Sequence, residues 1–153
     1  TLNGYDQGAK NTLTISDVDE VFKRIVTCPA NNETTVARFR SSVGNASGTA
    51  TFDSALDVQD VKYVRLTNLD SSNSLKLSLQ IEVGEDDTGA DTSATVLVEP
   101  GKSFMLSSPH DGIGTVASGS FNANLVTDLV DLDSLVVQPG SNSVDVEVYV
   151  ASA

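Results

Sequence analysis

Residues 75–83 constrain the fold more than any other part of the chain. Leucine, isoleucine and valine occupy the odd positions of this segment, and Lys76, Ser78, Gln80 and Glu82 occupy the even ones. Period two is the spacing of a β-strand, whose successive side chains point to opposite faces, whereas a helix would scatter the leucines around its circumference. The segment therefore predicts a strand with one buried and one solvated face, which needs a second layer to cover it.

The same alternation recurs elsewhere, with turn residues between the segments. Residues 61–69 and 144–150 alternate in the same way, and residues 35–40 form a further candidate strand. The last of the alternating segments predicts a C-terminal strand pinned into a sheet.

Two Pro-Gly pairs mark turns in the second half of the chain. Residues 95–106 read as strand, turn, strand, because Pro100 presets the φ of the second turn position and Gly101 supplies the positive φ of the third. Residues 138–142 contain the second pair and predict the same arrangement before the final strand.

Residues 16–28 fit two different structures. Four apolar residues recur there at helical spacing, and Ser16 with Asp19 resembles a capping box. The β-branched run at residues 25–27 favours a strand instead. We predict a strand.

Several one-sided strands must pack their apolar faces together in two layers or in a barrel. We predict an all-β fold, an antiparallel β-sandwich of the jelly-roll type, with a partly open β-barrel as the alternative. The 153 residues suit one domain of ordinary size. The polar residues 1–11 predict a flexible N-terminal arm, and residues 12–153 form the single β-sandwich domain of this prediction.

Charge and hydropathy argue against two classes of partner. The chain has 21 acidic and 9 basic residues, a net charge of -12, so it repels phosphate backbones and we expect no nucleic-acid partner. No stretch approaches the roughly 18 apolar residues of a membrane span, so we expect no membrane partner. The first ten residues lack the basic and apolar regions of a signal peptide, which predicts synthesis in a host cytoplasm.

The residues that usually carry catalysis are sparse. The single cysteine, Cys28, permits no intrachain disulfide and predicts a small buried hydrophobe. The single histidine, His110, follows Ser107-Ser108-Pro109 and precedes Asp111, but a triad converges in space and is not built from neighbours in one loop. We therefore predict an exposed loop histidine, no enzymatic activity and no cofactor.

The densest acidic cluster follows residues 75–83. Oxygen-rich loops bind Ca²⁺, which makes four of its carboxylates the calcium candidates of the chain: Glu85, Asp86, Asp87 and Asp91. The alternating acids, fixed glycine and terminal glutamate of an EF-hand loop are absent. We therefore predict no metal site, with this loop as the place to test for one.

Between roughly residues 60 and 150, strand and turn motifs follow one another in a recognisable order. VRLTNLD at 64–70 ends in R-x-T-N-x-D, VEPGKSFML at 98–106 contains P-G-x-S, and VDVEVYV at 144–150 is the closing strand. In this order they resemble a type of small β-sandwich found among the structural proteins of tailed-phage virions, of the capsid-decoration or head-fibre type. The resemblance implies a protein that binds an assembled shell, often as an oligomer.

From this resemblance we expect a non-enzymatic structural protein of a bacteriophage virion, attached to the outside of the capsid. Its expected partners are the major capsid protein or another virion protein, together with further copies of itself in a homo-oligomer. The alternative, from a different class, is a carbohydrate- or calcium-binding adhesion module. Against a carbohydrate ligand stands the absence of tryptophan, the usual platform for a sugar ring.

Overall fold

A computed structural model describes residues 12, 14–40, 55–82, 90, 92–114 and 129–153 of the chain. Residues 1–11, the predicted arm, lie outside the described residues. The described part contains strands and no α-helix, and hence no helix long and apolar enough to cross a membrane. The strands are β1 (Glu20–Cys28), β2 (Thr34–Arg40), β3 (Leu56–Asp57), β4 (Val61–Asn68), β5 (Leu75–Ile81), β6 (Thr92–Val98), β7 (Ser103–Leu106), β8 (Leu132–Pro139) and β9 (Val144–Ser152).

Two sheets pack face to face, one in the order β1-β9-β4-β7 and the other in the order β3-β2-β8-β5-β6. Eight of the strands pair as they would in one long antiparallel hairpin: β1 with β9, β2 with β8, β4 with β7 and β5 with β6. The two-residue β3 stands outside this scheme and runs parallel to β2. Rolling such a folded hairpin into two sheets gives the jelly roll. The predicted β-sandwich is confirmed, and the described strands form no closed barrel.

The segment that fitted two structures is a strand. Residues 20–28 form β1, at the edge of the four-stranded sheet, and pair with β9 along their whole length. The residues before it do not begin a helix, because Asp17 has a φ of 55° and the amide of Asp19 donates to the carbonyl oxygen of Ser152. Pairing with β9 therefore makes this segment a strand, as its β-branched residues 25–27 favoured.

The core lies between the sheets and is almost entirely aliphatic. The buried side chains alternate along the strands as the sequence predicts, with Leu75, Leu77, Leu79 and Ile81 on β5 all at most 7% exposed. Those of β9 follow the same rule: Val144, Val146, Val148 and Val150. Phe39 is the one aromatic ring among the largest fully buried side chains of the described residues.

The predicted alternation is wrong at Glu82. The period-two pattern placed it on the solvated face, but it is 5% exposed. β5 ends one residue earlier, where the register against β8 shifts: Gln80 pairs with Ser134 and Ile81 with Leu132, so that Asp133 bulges out of the ladder. A bulge bends the strand and ends strict alternation, which is why the rule fails at the next residue.

The two Pro-Gly pairs differ in structure. Gly101 has the expected φ of 67°, and the amide of Lys102 donates to the carbonyl oxygen of Glu99, which closes the predicted type II turn. Pro139 is instead the last residue of β8, and Gly140 does not have a positive φ. Each pair joins strands of different sheets, so both turns are corners between the layers and neither is a hairpin.

A buried carboxamide links the sheets at this end of the sandwich. The side chain of Asn68 is fully buried. Its Nδ2 donates to the carbonyl oxygens of Asn73, at 2.9 Å, and of Val98 on the other sheet, at 3.1 Å. Its Oδ1 accepts from the amide of Asp70 at 3.0 Å. One side chain therefore satisfies the buried carbonyl group of Val98 on one sheet and two backbone groups of the turn that leaves the other sheet.

The next carboxylate completes this turn. Asp70 Oδ1 accepts from the amides of Ser72 and Asn73, at 2.7 and 2.6 Å, and these bonds hold the pKa of the Asp70 carboxyl below its usual value. Asn73 in turn accepts at its Oδ1 from the side chain of Asn142, in the turn before β9. The turn residues of the R-x-T-N-x-D motif thus have a structural role in the fold.

The face assignment of β5 can be tested with two neighbouring substitutions. Leu79→Ala removes a buried side chain and should lower the free energy of unfolding by roughly 2–5 kcal/mol in denaturant titrations. Gln80→Ala, on the opposite face, should change it by no more than about 0.5 kcal/mol. Equal effects would contradict the assignment, since a register error of one residue exchanges the two faces.

The link formed by Asn68 predicts a second contrast. Asn68→Ala removes the donor of the buried carbonyl group of Val98 and of the partly buried one of Asn73, and it should destabilise the protein by about 1–3 kcal/mol. Asn142→Ala removes one exposed hydrogen bond, donated by a carboxamide to the side chain of Asn73, and should cost at most about 0.5 kcal/mol. Thermal or chemical unfolding measures both, and a tolerated Asn68→Ala would show that the carboxamide does not hold the sheets together.

Candidate functional site

The outer face of the four-stranded sheet carries an ordered row of large side chains. The register sets Lys23 of β1 beside Tyr149 of β9, Tyr149 beside Arg65 of β4, and Arg65 beside Met105 of β7. Together with their exposed neighbours they form what we term the contact face: Val21, Lys23, Ile25, Tyr63, Arg65, Met105, Glu147 and Tyr149.

Large hydrophobic side chains are exposed on this face. Six large hydrophobic side chains of the described residues are exposed, and three of them lie here: Val21, Ile25 and Met105, at 53%, 61% and 61%. Isolated exposed hydrophobic residues need no explanation, but side chains grouped on one sheet face are typical of an interaction surface.

Aromatic and cationic groups on this face are held in place by one another. The rings of Tyr63 and Tyr149 meet edge to face, with centroids 6.3 Å apart and planes at 65°. The guanidinium of Arg65 lies 5.4 Å from the centroid of the Tyr149 ring, within the range of a cation–π contact. These side chains lose little freedom when a partner binds, because their conformations are already restricted.

Glu147 provides the charge at the centre of the face. Its Oε2 is 3.0 Å from Lys23 Nζ, and its Oε1 accepts from Arg65 at 2.7 Å. Hydrogen bonds from Lys23 and then from Arg65 hold the pKa of the Glu147 carboxyl below its usual value. The carboxylate thereby neutralises part of the positive charge and fixes the two long cationic side chains across three strands.

Strand β1 adds an open edge to this surface. Among the described strands it pairs with β9 alone. The amide and carbonyl groups of every second residue point away from β9 and have no strand partner there. Such an edge is a template for pairing with another chain. The sequence could not reveal this surface, because the row joins residues from four separate segments and depends on their register.

A polar groove of about 610 Å³ lies on the outer face of the other sheet. Hydroxyl, amide and ammonium groups line much of it: Lys76, Ser78, Gln80, Ser93, Thr95 and Gln138. None of the described residues that line it is aromatic. The groove offers hydrogen bonds to a polar ligand but no ring on which a sugar could stack.

His110 is more constrained than the sequence predicted. It lies in a loop, as expected, but it is half-buried, and its Nδ1 is 3.0 Å from Oδ1 of Asp131, a residue 21 positions away. Its Nε2 is 3.2 Å from Oδ2 of Asp111. The hydroxyl of Ser108 donates to the carbonyl oxygen of His110 and does not contact the ring, so these residues are not arranged as a serine-hydrolase triad.

The calcium candidates Glu85, Asp86, Asp87 and Asp91 lie outside the described residues. Asp133 is buried and pairs with Arg40 at 2.8 Å.

Cys28 is fully buried, as predicted. Burial raises the pKa of its thiol above the usual value, so the nucleophilic thiolate is disfavoured.

Comparison of the chain with models of protein families, with curated proteins and with solved structures finds no match in any of the three. The contact face, the polar groove and the His110 cluster therefore have to be interpreted from their own chemistry.

The ion-pair network on the contact face predicts a pH-dependent stability. Because the pKa of Glu147 is lowered by folding, its contribution is present above the unfolded value of 4.5 and is lost as the pH falls through the lower folded value. Denaturant titrations from pH 7 to pH 3 should therefore show a shallower acid loss of stability in Glu147→Gln than in the wild type. Lys23→Met removes the larger of the two causes and should flatten the profile in the same direction. An unchanged profile in Glu147→Gln would contradict this assignment.

Proposed function

We propose that this protein is a non-catalytic structural protein of a tailed-phage virion, which binds the outside of the assembled capsid through its contact face. The observation that carries the proposal is the row of Lys23, Tyr149, Arg65 and Met105 across all four strands, flanked by exposed Val21 and Ile25. A preorganised surface of this kind acts by binding and needs no reacting group.

The chemistry of the face matches that of protein–protein interfaces. Tyrosine, methionine and arginine are enriched in such interfaces, and tyrosine and arginine are frequent among the residues that contribute most to affinity. On the contact face Tyr149 and Arg65 lie at the centre of the row, with apolar side chains on either side. Such a central pair flanked by apolar contacts is similar to the hot spots of protein–protein interfaces.

Two observations favour a capsid as the partner. The jelly roll is a recurrent fold of viral capsid proteins, although it also occurs in lectins and cupins, and a fold by itself does not define a function. The motifs of residues 64–70, 98–106 and 144–150 resemble those of capsid-decoration and head-fibre proteins, and this resemblance is our reason for proposing a virion protein rather than another protein with this fold.

Repeated copies of the binding site on a capsid would strengthen binding through a single contact face of modest affinity. A capsid presents the same site many times, so an oligomer of this chain engages several sites at once and gains avidity without new contacts. The open edge of β1 lies beside the contact face and is available for pairing with a second copy. A homo-oligomer on a regular lattice therefore forms part of the proposal.

A second candidate function is binding of a carbohydrate in the polar groove. The specific observation in its favour is the set of hydroxyl, amide and ammonium groups on one sheet face around a volume of about 610 Å³. Against it stands the lack of an aromatic ring among the described lining residues.

The proposal predicts the effect of a charge-neutral double substitution. Ile25→Lys with Met105→Glu replaces two exposed apolar anchors and places each new charge beside an opposite one, Glu147 or Arg65. Co-sedimentation with capsids assembled from the major capsid protein encoded with this chain should show binding at least about tenfold weaker than wild type.

The matched control makes the same exchange elsewhere. Leu97→Lys with Leu129→Glu also replaces two exposed hydrophobic side chains, at 65% and 44%, that are not part of the contact face, and it should bind like the wild type. Equal loss in both variants, or no capsid binding by the wild type, would refute the proposal. Retention on immobilised polysaccharide that Lys76→Ala abolishes would favour the groove instead.

A further inference from the structure

We propose that His110, Asp111 and Asp131 form a binding site for a divalent transition-metal cation of the zinc class. The ion ties the connection that follows β7 to the residue that precedes β8. The three residues belong neither to the contact face nor to the lining of the polar groove, so the site is independent of the function proposed above.

The spacing of the donor atoms supports coordination. One ligand atom from each residue lies within 4.8 Å of the other two. The two carboxylates contact opposite nitrogens of the ring, His110 Nδ1 at 3.0 Å from Asp131 Oδ1 and Nε2 at 3.2 Å from Asp111 Oδ2, so one of them must turn to share an ion with the other. Ligand atoms bound to zinc at about 2.0–2.2 Å in a tetrahedron are about 3.4 Å apart. The Asp111 side chain is 65% exposed and can turn toward the ring nitrogen that takes the ion.

The two carboxylates of the cluster attract a cation. Asp131 and Asp111 place a carboxylate oxygen beside each nitrogen of the ring, and the two negative charges favour a cation there. Within the described part of the chain, no lysine or arginine forms a salt bridge with Asp111 or Asp131. A metal ion bound to one nitrogen of the ring is attracted by both carboxylates.

The backbone holds the ligands together before an ion arrives. Ile113 and Val130 exchange two backbone hydrogen bonds, at 2.8 and 3.3 Å, which clamp the loop of His110 to the segment of Asp131. The amide of Asp111 also donates to Asp131 Oδ1 at 2.7 Å. Ligands from two segments, 21 residues apart for His110 and Asp131, are therefore presented without further ordering of the chain.

The donor set selects the class of ion. An imidazole nitrogen with carboxylate oxygens suits Zn²⁺ and its neighbours among the first-row transition metals. Ca²⁺ takes six to eight oxygen ligands and Mg²⁺ an octahedron of oxygens, and neither gains from the imidazole. Water completes the coordination shell, since the protein supplies three side chains.

The single histidine of the chain makes the test specific. The full-length protein, stripped of metal with EDTA, is titrated with ZnCl₂ while the ring ¹⁵N resonances of His110 are recorded by NMR. We expect these resonances to shift with saturation. At a hundredfold excess over Kd the melting temperature should rise by roughly 5–10 °C. CaCl₂ and MgCl₂ at the same concentration should leave the ring resonances in place.

Two variants and one control complete the experiment. His110→Ala should abolish the thermal shift with ZnCl₂, and Asp131→Asn, which retains an oxygen acceptor for the amide of Asp111, should weaken zinc binding at least about tenfold. Glu33→Gln removes an exposed acid elsewhere and should bind zinc like the wild type. The proposal is overturned if zinc leaves the wild-type ring resonances unmoved, including the case in which the melting temperature still rises.

Discussion

The buried carboxamide of Asn68 is the polar contact on which one end of the sandwich depends. Apolar packing holds two sheets together but does not fix where the chain crosses between them. Asn68, at the end of β4, bonds the carbonyl oxygen of Val98 on the other sheet and the turn that leads to β5. Its own amide and carbonyl groups bond Lys102 and Gly101 in the corner between β6 and β7. With these crossings fixed, the strands acquire the register that builds the contact face.

Much of the fold could be predicted because its strongest signals are local. The alternation in residues 75–81 and 144–150 requires a covered sheet face, and Gly101 satisfies a turn that needs a positive φ. Glu82 could not be predicted, because a bulge opposite the strand ends the alternation. The Pro-Gly corners read as strand, turn, strand, but the sequence does not tell whether the two strands share a sheet.

The candidate sites were harder to predict, since pairing between distant segments creates them. Lys23, Tyr149, Arg65 and Met105 become one row only through the register of four strands. His110 meets Asp131 because two separate segments are clamped together, whereas the sequence shows only its neighbours. The two sheets present unlike outer faces, one apolar and aromatic with fixed charges, the other polar and grooved. A rigid module of this kind can engage two chemically different surroundings at once.

The pairing of β1 with β9 has a consequence for synthesis. Glu20 lies beside Ser152, and β9 occupies a central place between β1 and β4. During synthesis, β1 and β4 emerge from the ribosome before β9, the strand that pairs with both of them. The β5–β6 hairpin is complete earlier, because its two strands pair with each other. We expect the hairpin to form first and the four-stranded sheet to close only after β9 has emerged, as the high sequence separation of its contacts implies slow folding. During that interval the apolar edges of β1 and β4 are exposed to other nascent chains, and a chaperone that shields them would raise the yield.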